Sequence, residues 1–166
     1  MAEIHRVRPD EWREWRTLRL SALAEAPYAF GSTYAREVEH SDEVWQERTS
    51  RAAESAENAV FVAVTYTGEW VACAGGLIDE DEPDSVQVIS VWTAPGQRGA
   101  GLAEVTTRAV LDWASTTTAP DVRLWVTETN EAARRLYERL GFTATGRRQP
   151  LPSDPSLTEI ELVLPA

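Results

Sequence analysis

A chain of 166 residues, 43% hydrophobic and 26% charged, is long enough to bury the core of one domain. Its formal net charge is -11, and all 16 of its basic Lys or Arg positions are arginine; such a surface repels nucleic-acid backbones and anionic membranes and favours a cationic small molecule or basic peptide. Cys73 is the single cysteine, and His5 and His40 lack ligand spacing, so neither an intrachain disulfide nor a metal site is expected.

The opening segment, MAEIHRVRPDEW, is polar and carries acids, which reads against a signal peptide. No apolar run approaches the roughly 20 residues that span a bilayer. A cytoplasmic protein is therefore expected. Residues 3–8 predict a short strand. Trp12, Trp15, Leu18, Ala22 and Leu23 recur at helical spacing, which predicts a helix over 9–25 that Pro27 ends. Ser41 reads as the cap of a second helix over 42–55. The β-rich runs Phe61–Tyr66 and Trp70–Ile78, joined by Thr67-Gly68, predict a hairpin over 59–78. The acidic stretch Asp79–Asp84 reads as a loop, and Val86–Thr93 as the next strand. A glycine-rich turn leads into a helix ending near Ser115, whose apolar positions keep the 3.6-residue period. A strand over 122–127, a helix over Glu131–Leu140 and strands near 142–148 and 158–164 close the chain. The order β-α-α-β-β-β-α-β-α-β-β predicts an α/β protein, a mixed sheet flanked by helices, in a single domain over 1–166.

Two segments carry chemistry. The first, Pro95-Gly-Gln-Arg-Gly-Ala-Gly101, joins a strand to a helix. Such a junction leaves unpaired N–H groups at the positive end of a helix dipole, and glycines let a phosphate come close. Arg98 adds a charge that can pair with phosphate. The same glycines also suit a plain tight turn. A P-loop is excluded because it needs a lysine, and a Rossmann fingerprint because its third glycine and its place after a first strand are both missing. The second segment runs from Asn130 to Phe142. Asn130 reads as an N-cap, Glu131 complements the dipole and Gly141 ends the helix in a left-handed C-cap. Tyr137 is left over by this reading, as core or as chemistry.

Together these segments resemble the signatures of the GNAT superfamily of acyl-CoA-dependent N-acetyltransferases. The first signature stands as Arg98-Gly99-Ala100-Gly101-Leu102-Ala103, after the strand end Val91-Trp92-Thr93. The second stands as Asn130, Ala133, Leu136-Tyr137 and Gly141-Phe142. Arg19-Leu-Ser-Ala-Leu with Pro27, Phe30 and Gly31, and the closing stretch through Pro150–Ser156, are similar to one branch of that superfamily. The resemblance implies the GNAT fold, acetyl-CoA as cosubstrate without a metal, and an amine acceptor that the charge favours as cationic. Dimers are common among similar proteins. It implies that backbone groups of Val91 and Thr93, flanking Trp92, pair with pantetheine as an added strand would. Amides from Arg98 to Ala103 hold the pyrophosphate, and Asn130 and Ala133 contact the cofactor. Tyr137 points at the sulfur.

A primary amine with pKa about 10.4 costs about 4–5 kcal/mol to deprotonate at neutral pH. A carboxylate base and an acid for the leaving thiolate are needed. Tyr137 serves as the acid. Related enzymes often carry a glutamate where Gln87 stands, and an amide cannot take the proton. Glu128, before the splayed end of its strand, is the expected base, with Asp79–Glu82, Glu159, Glu161 and a water chain as substitutes. Direct transfer in a ternary complex is the expected mechanism; Cys73 as nucleophile, a longer acyl-CoA, a catalytically silent acyl-CoA sensor and a nucleotide-binding protein are the rivals.

Overall fold

The structure is a computed structural model that describes residues 2–119 and 121–165. Seven strands and five α-helices follow in the order β1 (Ala2–Arg6), α1 (Trp12–Glu25), α2 (Tyr34–Glu37), α3 (Asp42–Glu54), β2 (Asn58–Thr65), β3 (Trp70–Asp79), β4 (Glu82–Thr93), α4 (Leu102–Ala114), β5 (Asp121–Thr127), α5 (Glu131–Arg139), β6 (Thr143–Leu151) and β7 (Asp154–Leu164). The expected order is present, with the one-turn α2 added. Three boundaries differ. The acidic stretch expected as a loop turns within Glu80-Asp81, because Asp79 already pairs with Glu82. The stretch Pro150–Ser156 narrows to a turn at Pro152-Ser153 between the extended β6 and β7. Pro9–Glu11 forms a 3₁₀ turn before α1 rather than its first α-helical turn.

One sheet holds every strand, in the order β1-β2-β3-β4-β5-β7-β6. All neighbours are antiparallel except β4 and β5. That parallel ladder runs only from Ser85 opposite Asp121 to Val88 opposite Leu124. Both strands continue, β4 to Thr93 and β5 to Thr127, without further pairing to each other. A wedge therefore opens in the middle of the sheet.

Each face of the sheet has its own core. On one, Trp12, Trp15, Leu18 and Leu23 of α1 and Trp45 of α3 pack on Val60, Val62 and Cys73. On the other, Val110 of α4 and Leu136 and Tyr137 of α5 pack on Ala74, Val88, Leu124, Val126 and Leu162. Gly76 sets how closely α4 approaches β3: a Cβ there would lie 2.8 Å from Trp113 and 2.9 Å from Val110. Burial of these apolar side chains supplies the driving force, at roughly 25 cal/mol per Å². No helix of the described residues is long and apolar enough to cross a membrane.

Candidate active site

The wedge opens into a cavity of about 910 Å³. Every residue expected to hold the cofactor lines it except Ala100: Val91, Trp92 and Thr93 from β4, then Arg98, Gly99, Gly101, Leu102 and Ala103 from the turn and α4, then Asn130 and Ala133 from α5. Tyr137 lines it too.

Local chemistry builds the turn. Gly101 caps α4 with φ +79, in the left-handed region that favours glycine. The helix ladder begins with Val105 N–H donating to Gly101 O at 3.0 Å. By helix geometry, the amides of the preceding turn have no carbonyl behind them. A Cβ on Gly99 or Gly101 would meet no protein atom within 4 Å, so the space before them is open. Beside them, Thr93 Oγ1 is buried and finds no hydrogen-bond partner among the described residues. Open space, bare donors and an orphaned hydroxyl suit a polar ligand with a diphosphate.

Arg98 makes contacts that the sequence did not foretell. Its Nη2 donates to Glu25 Oε1 and its Nε donates to Thr93 O at 3.0 Å. Trp92 Nε1 donates to the same Glu25 oxygen at 2.9 Å. The Trp92 bond, reinforced by Arg98, holds the Glu25 carboxyl below its ordinary range. The guanidinium thus clasps the strand end to the end of α1, with Glu25 as its partner there. Nothing in the sequence near Arg98 signals a partner 73 residues away.

Asn130 is the expected cap, with its side chain accepting from Ala133 N–H at 3.3 Å. Gly141 ends α5 with φ +100, and Phe142 N–H returns to Tyr137 O at 3.0 Å. Phe142 also packs edge-on against Tyr137, with ring centroids 5.8 Å apart. The cap and the C-terminal closure thus fix the backbone on either side of Tyr137. Burial pushes its phenol up, so it stays protonated at every physiological pH.

The opposite face of the sheet supplies the carboxylate. Trp125 and Thr127 of β5 stand opposite Glu161 and Glu159 of β7, and cross-strand partners share a face. Leu124 and Val126 belong to the α4–α5 core, so alternation puts these four on the far side. Glu159 lines the cavity, as does Gln87. Burial raises the Glu159 carboxyl, while Gln149 Nε2, donating to Oε1 at 2.5 Å, pulls the other way and loses.

Glu128, the expected base, is not among the described residues that line the cavity. Its side chain is 39% exposed and paired with Arg148. Its place at the splayed end of β5 does not bring its side chain to the cavity: its backbone N–H reaches Thr158 O at 2.8 Å, and its carbonyl takes Arg134 Nη1 at 3.0 Å. Glu161 is fully buried and committed to Arg123 at 3.1 Å, Thr145 at 2.8 Å and Arg147 at 2.9 Å. Asp79 and Glu82 close a hairpin. Cys73 is buried, and desolvation pushes its thiol up to about 12, which leaves essentially no thiolate.

Residues to which the sequence reading gave no role in the site complete the far end: Arg19, Tyr28, Phe30, Ser90 and Trp125. One signal was available for Arg19, an arginine standing on the apolar stripe of α1 next to Leu18.

The model of the acetyltransferase (GNAT) family matches residues 6–142. Curated protein sequences give no match. Among solved structures, the GNAT-family acetyltransferase of Streptococcus pneumoniae is similar at TM-score 0.82 and 14% identity, covering 100% of both chains. The GCN5-related N-acetyltransferase of Kribbella flavida follows at TM-score 0.77 and 19% identity, over 99% of this chain and 98% of that one. The protein yncA of Salmonella typhimurium, described with its cofactor acetyl-CoA, is similar at TM-score 0.74 and 18% identity, over 99% and 94%. These likenesses establish the fold. The family match spans most of the sequence and takes in the glycine turn and the Asn130–Phe142 helix: the chain belongs to the acetyltransferase (GNAT) family and is an acyltransferase.

Proposed function

We propose that this protein moves an acetyl group from acetyl-CoA directly to a primary amine, with Tyr137 as general acid and Glu159 as general base. One observation carries the reading. A single cavity runs through the wedge between β4 and β5, with a bare glycine turn and a buried phenol on one face and a buried carboxylate on the other.

Acetyl-CoA, when bound, supplies the activated acetyl thioester. The turn amides and the orphaned Thr93 hydroxyl bind and orient it, and the free edge of β4 beyond Val88 pairs with its amide-bearing arm. Tyr137, kept neutral by burial, donates its proton to the departing thiolate, whose pKa near 8.5 lies below the phenol's. Hydrogen-bond donation therefore leads and full proton transfer follows as the C–S bond breaks. Glu159, whose raised pKa brings it nearer that of an ammonium than a surface carboxylate would be, accepts the amine proton. The amine enters from the opposite face, along Tyr28, Phe30 and Trp125. Those rings and the Glu159 carboxylate suit a cationic amine on an apolar body. Cys73, protonated and buried, supports direct transfer over an acyl-enzyme.

The test is thiol release from acetyl-CoA across a broad panel of primary amines, with wild type and Glu159→Gln side by side. Amine-dependent release that falls by about 10²-fold or more in the variant is expected for loss of a general base. Equal rates in the two proteins remove Glu159 from the chemistry.

A further inference from the structure

A buried ion pair in the wall of the cavity has no part in the chemistry above. Arg19 of α1 is 8% exposed and lines the cavity. Its Nε and Nη2 donate to the two oxygens of Glu37 at 3.0 and 2.9 Å. Arg48 Nη1 adds a third bond to Glu37 at 3.1 Å. The remaining amino group, Nη1, donates to Ser90 Oγ at 2.8 Å. Burying such a fork gains little stability over an apolar replacement, and its best-attested use is to fix a conformation.

The conformation it meets is unusual. Ser90 has φ +58 and is the single non-glycine residue with positive φ among the described residues. A side chain there carries backbone strain, and such strain gathers at functional sites. The register explains the place. Cys73 pairs with Trp92 and Gly75 with Ile89, so Ala74 alone faces both Ser90 and Val91. On the other edge the ladder to β5 has ended at Val88. At Ser90 and Val91, which border the cavity, the β4 backbone is thus released from the regular ladders on both sides. Cys73 Sγ donates to Ser90 O at 3.1 Å and ties the bulge from behind. The Arg19 guanidinium also lies 5.0 Å over the Phe30 ring, on the far wall.

We infer that Arg19 is a positioning residue for acetyl transfer. Held in one rotamer by Glu37, it pins the Ser90 hydroxyl, and so aims the Val91 N–H at the carbonyl oxygen of the thioester. The inference rests on the acetyl-transfer reading given above. A donor aimed at the developing oxyanion acts on the transition state more than on binding. Loss of the clasp should therefore appear in kcat and in carbonyl polarisation.

The experiment compares wild type with Ser90→Ala, Arg19→Lys and the double variant. Ser90→Ala leaves the Arg19–Glu37 pair intact, so the fold is kept; Arg19→Lys keeps the charge and loses the fork. In wild type, the infrared stretch of carbonyl-13C acetyl-CoA is expected to fall on binding. In Ser90→Ala and Arg19→Lys it should return toward the value in water. Each variant should lose about tenfold or more in kcat with its KM for acetyl-CoA nearly unchanged. The double variant should be no worse than Arg19→Lys, because two members of one relay are not additive. A Ser90→Ala protein with wild-type kcat and carbonyl frequency overturns the inference, as do strictly additive losses. If wild type binds no acetyl-CoA and releases no thiol with any amine, the acetyl-transfer reading falls first and the positioning role with it.

Discussion

The Tyr137 phenol and the Glu159 carboxyl are shifted in the same direction by the same cause, burial, with opposite consequences. Raising a phenol keeps it an acid; raising a carboxyl makes it a better base once it has ionised. Tyr137→Phe should cut kcat for thiol release by about 10²-fold. Acetyl-CoA affinity, measured by calorimetry, should hold, since the ring and its Phe142 contact remain; an unchanged kcat would remove the acid role. For Glu159 the sign is definite. Its base form exists only above its raised pKa, so the acid limb of kcat/KM should lie above the ordinary carboxylate value of about 4.3. The Glu159→Gln pH profile should lack that limb. Its stability contribution is full below the unfolded pKa and is lost as pH rises through the folded one. Glu159→Gln should therefore melt no lower than wild type at neutral pH. A lower Tm would mean that the ionised carboxylate was stabilised after all.

Elements place these side chains, and they differ in how far sequence foretells them. The capped α5 is local chemistry: Asn130, Gly141 and Phe142 lie within one helix length and do in space what their types imply. The turn before α4 is equally local, and Gly101 shows why. At φ +79 with open space ahead, a valine there meets backbone strain and fills the room a diphosphate needs. Gly101→Val should weaken acetyl-CoA binding by about tenfold or more in a calorimetric titration, on the order of one bulky side chain displacing a charge-bearing contact. Undiminished affinity would put the diphosphate elsewhere. The proposed base was not legible in this way. Glu128 follows the end of β5 and Glu159 sits in the middle of β7, and which one faces inward is fixed by the β5–β7 register, a non-local pairing. The pairing of Arg98 with Glu25 is equally out of reach of local reading, because the partner arrives from α1. Ser90 is the hardest case, since a bulge is a mismatch between two strands and belongs to neither alone.

At the scale of the molecule, the sheet is one body with a wedge in it, and the two cores hold the wedge open from either side. The Arg19–Glu37–Arg48 cluster joins α1, α2 and α3 beside that wedge. Burial raises the Glu37 carboxyl, but the bonds and charge of Arg19, with help from Ser32 and Arg48, outweigh it and hold the carboxyl down at about 2. Its contribution is therefore present above the unfolded value of about 4.3 and lost as pH falls through about 2. Glu37→Gln should cost about 3–5 kcal/mol in urea unfolding at neutral pH, because it leaves Arg19 buried and uncompensated. That gap should shrink steadily as pH drops below about 4.3, where the unfolded carboxyl takes up its proton. A pH-independent gap would mean that packing, not charge, holds the three helices. All of this bears on the proposed geometry, in which a thioester threads the sheet between a phenol and a carboxylate. A crystal structure of the protein with acetyl-CoA tests it most directly. The diphosphate should rest on the amides of the turn through Ala103, with the sulfur within hydrogen-bond reach of the Tyr137 hydroxyl. A cofactor bound away from the β4–β5 wedge, or a sulfur turned from Tyr137, would contradict it.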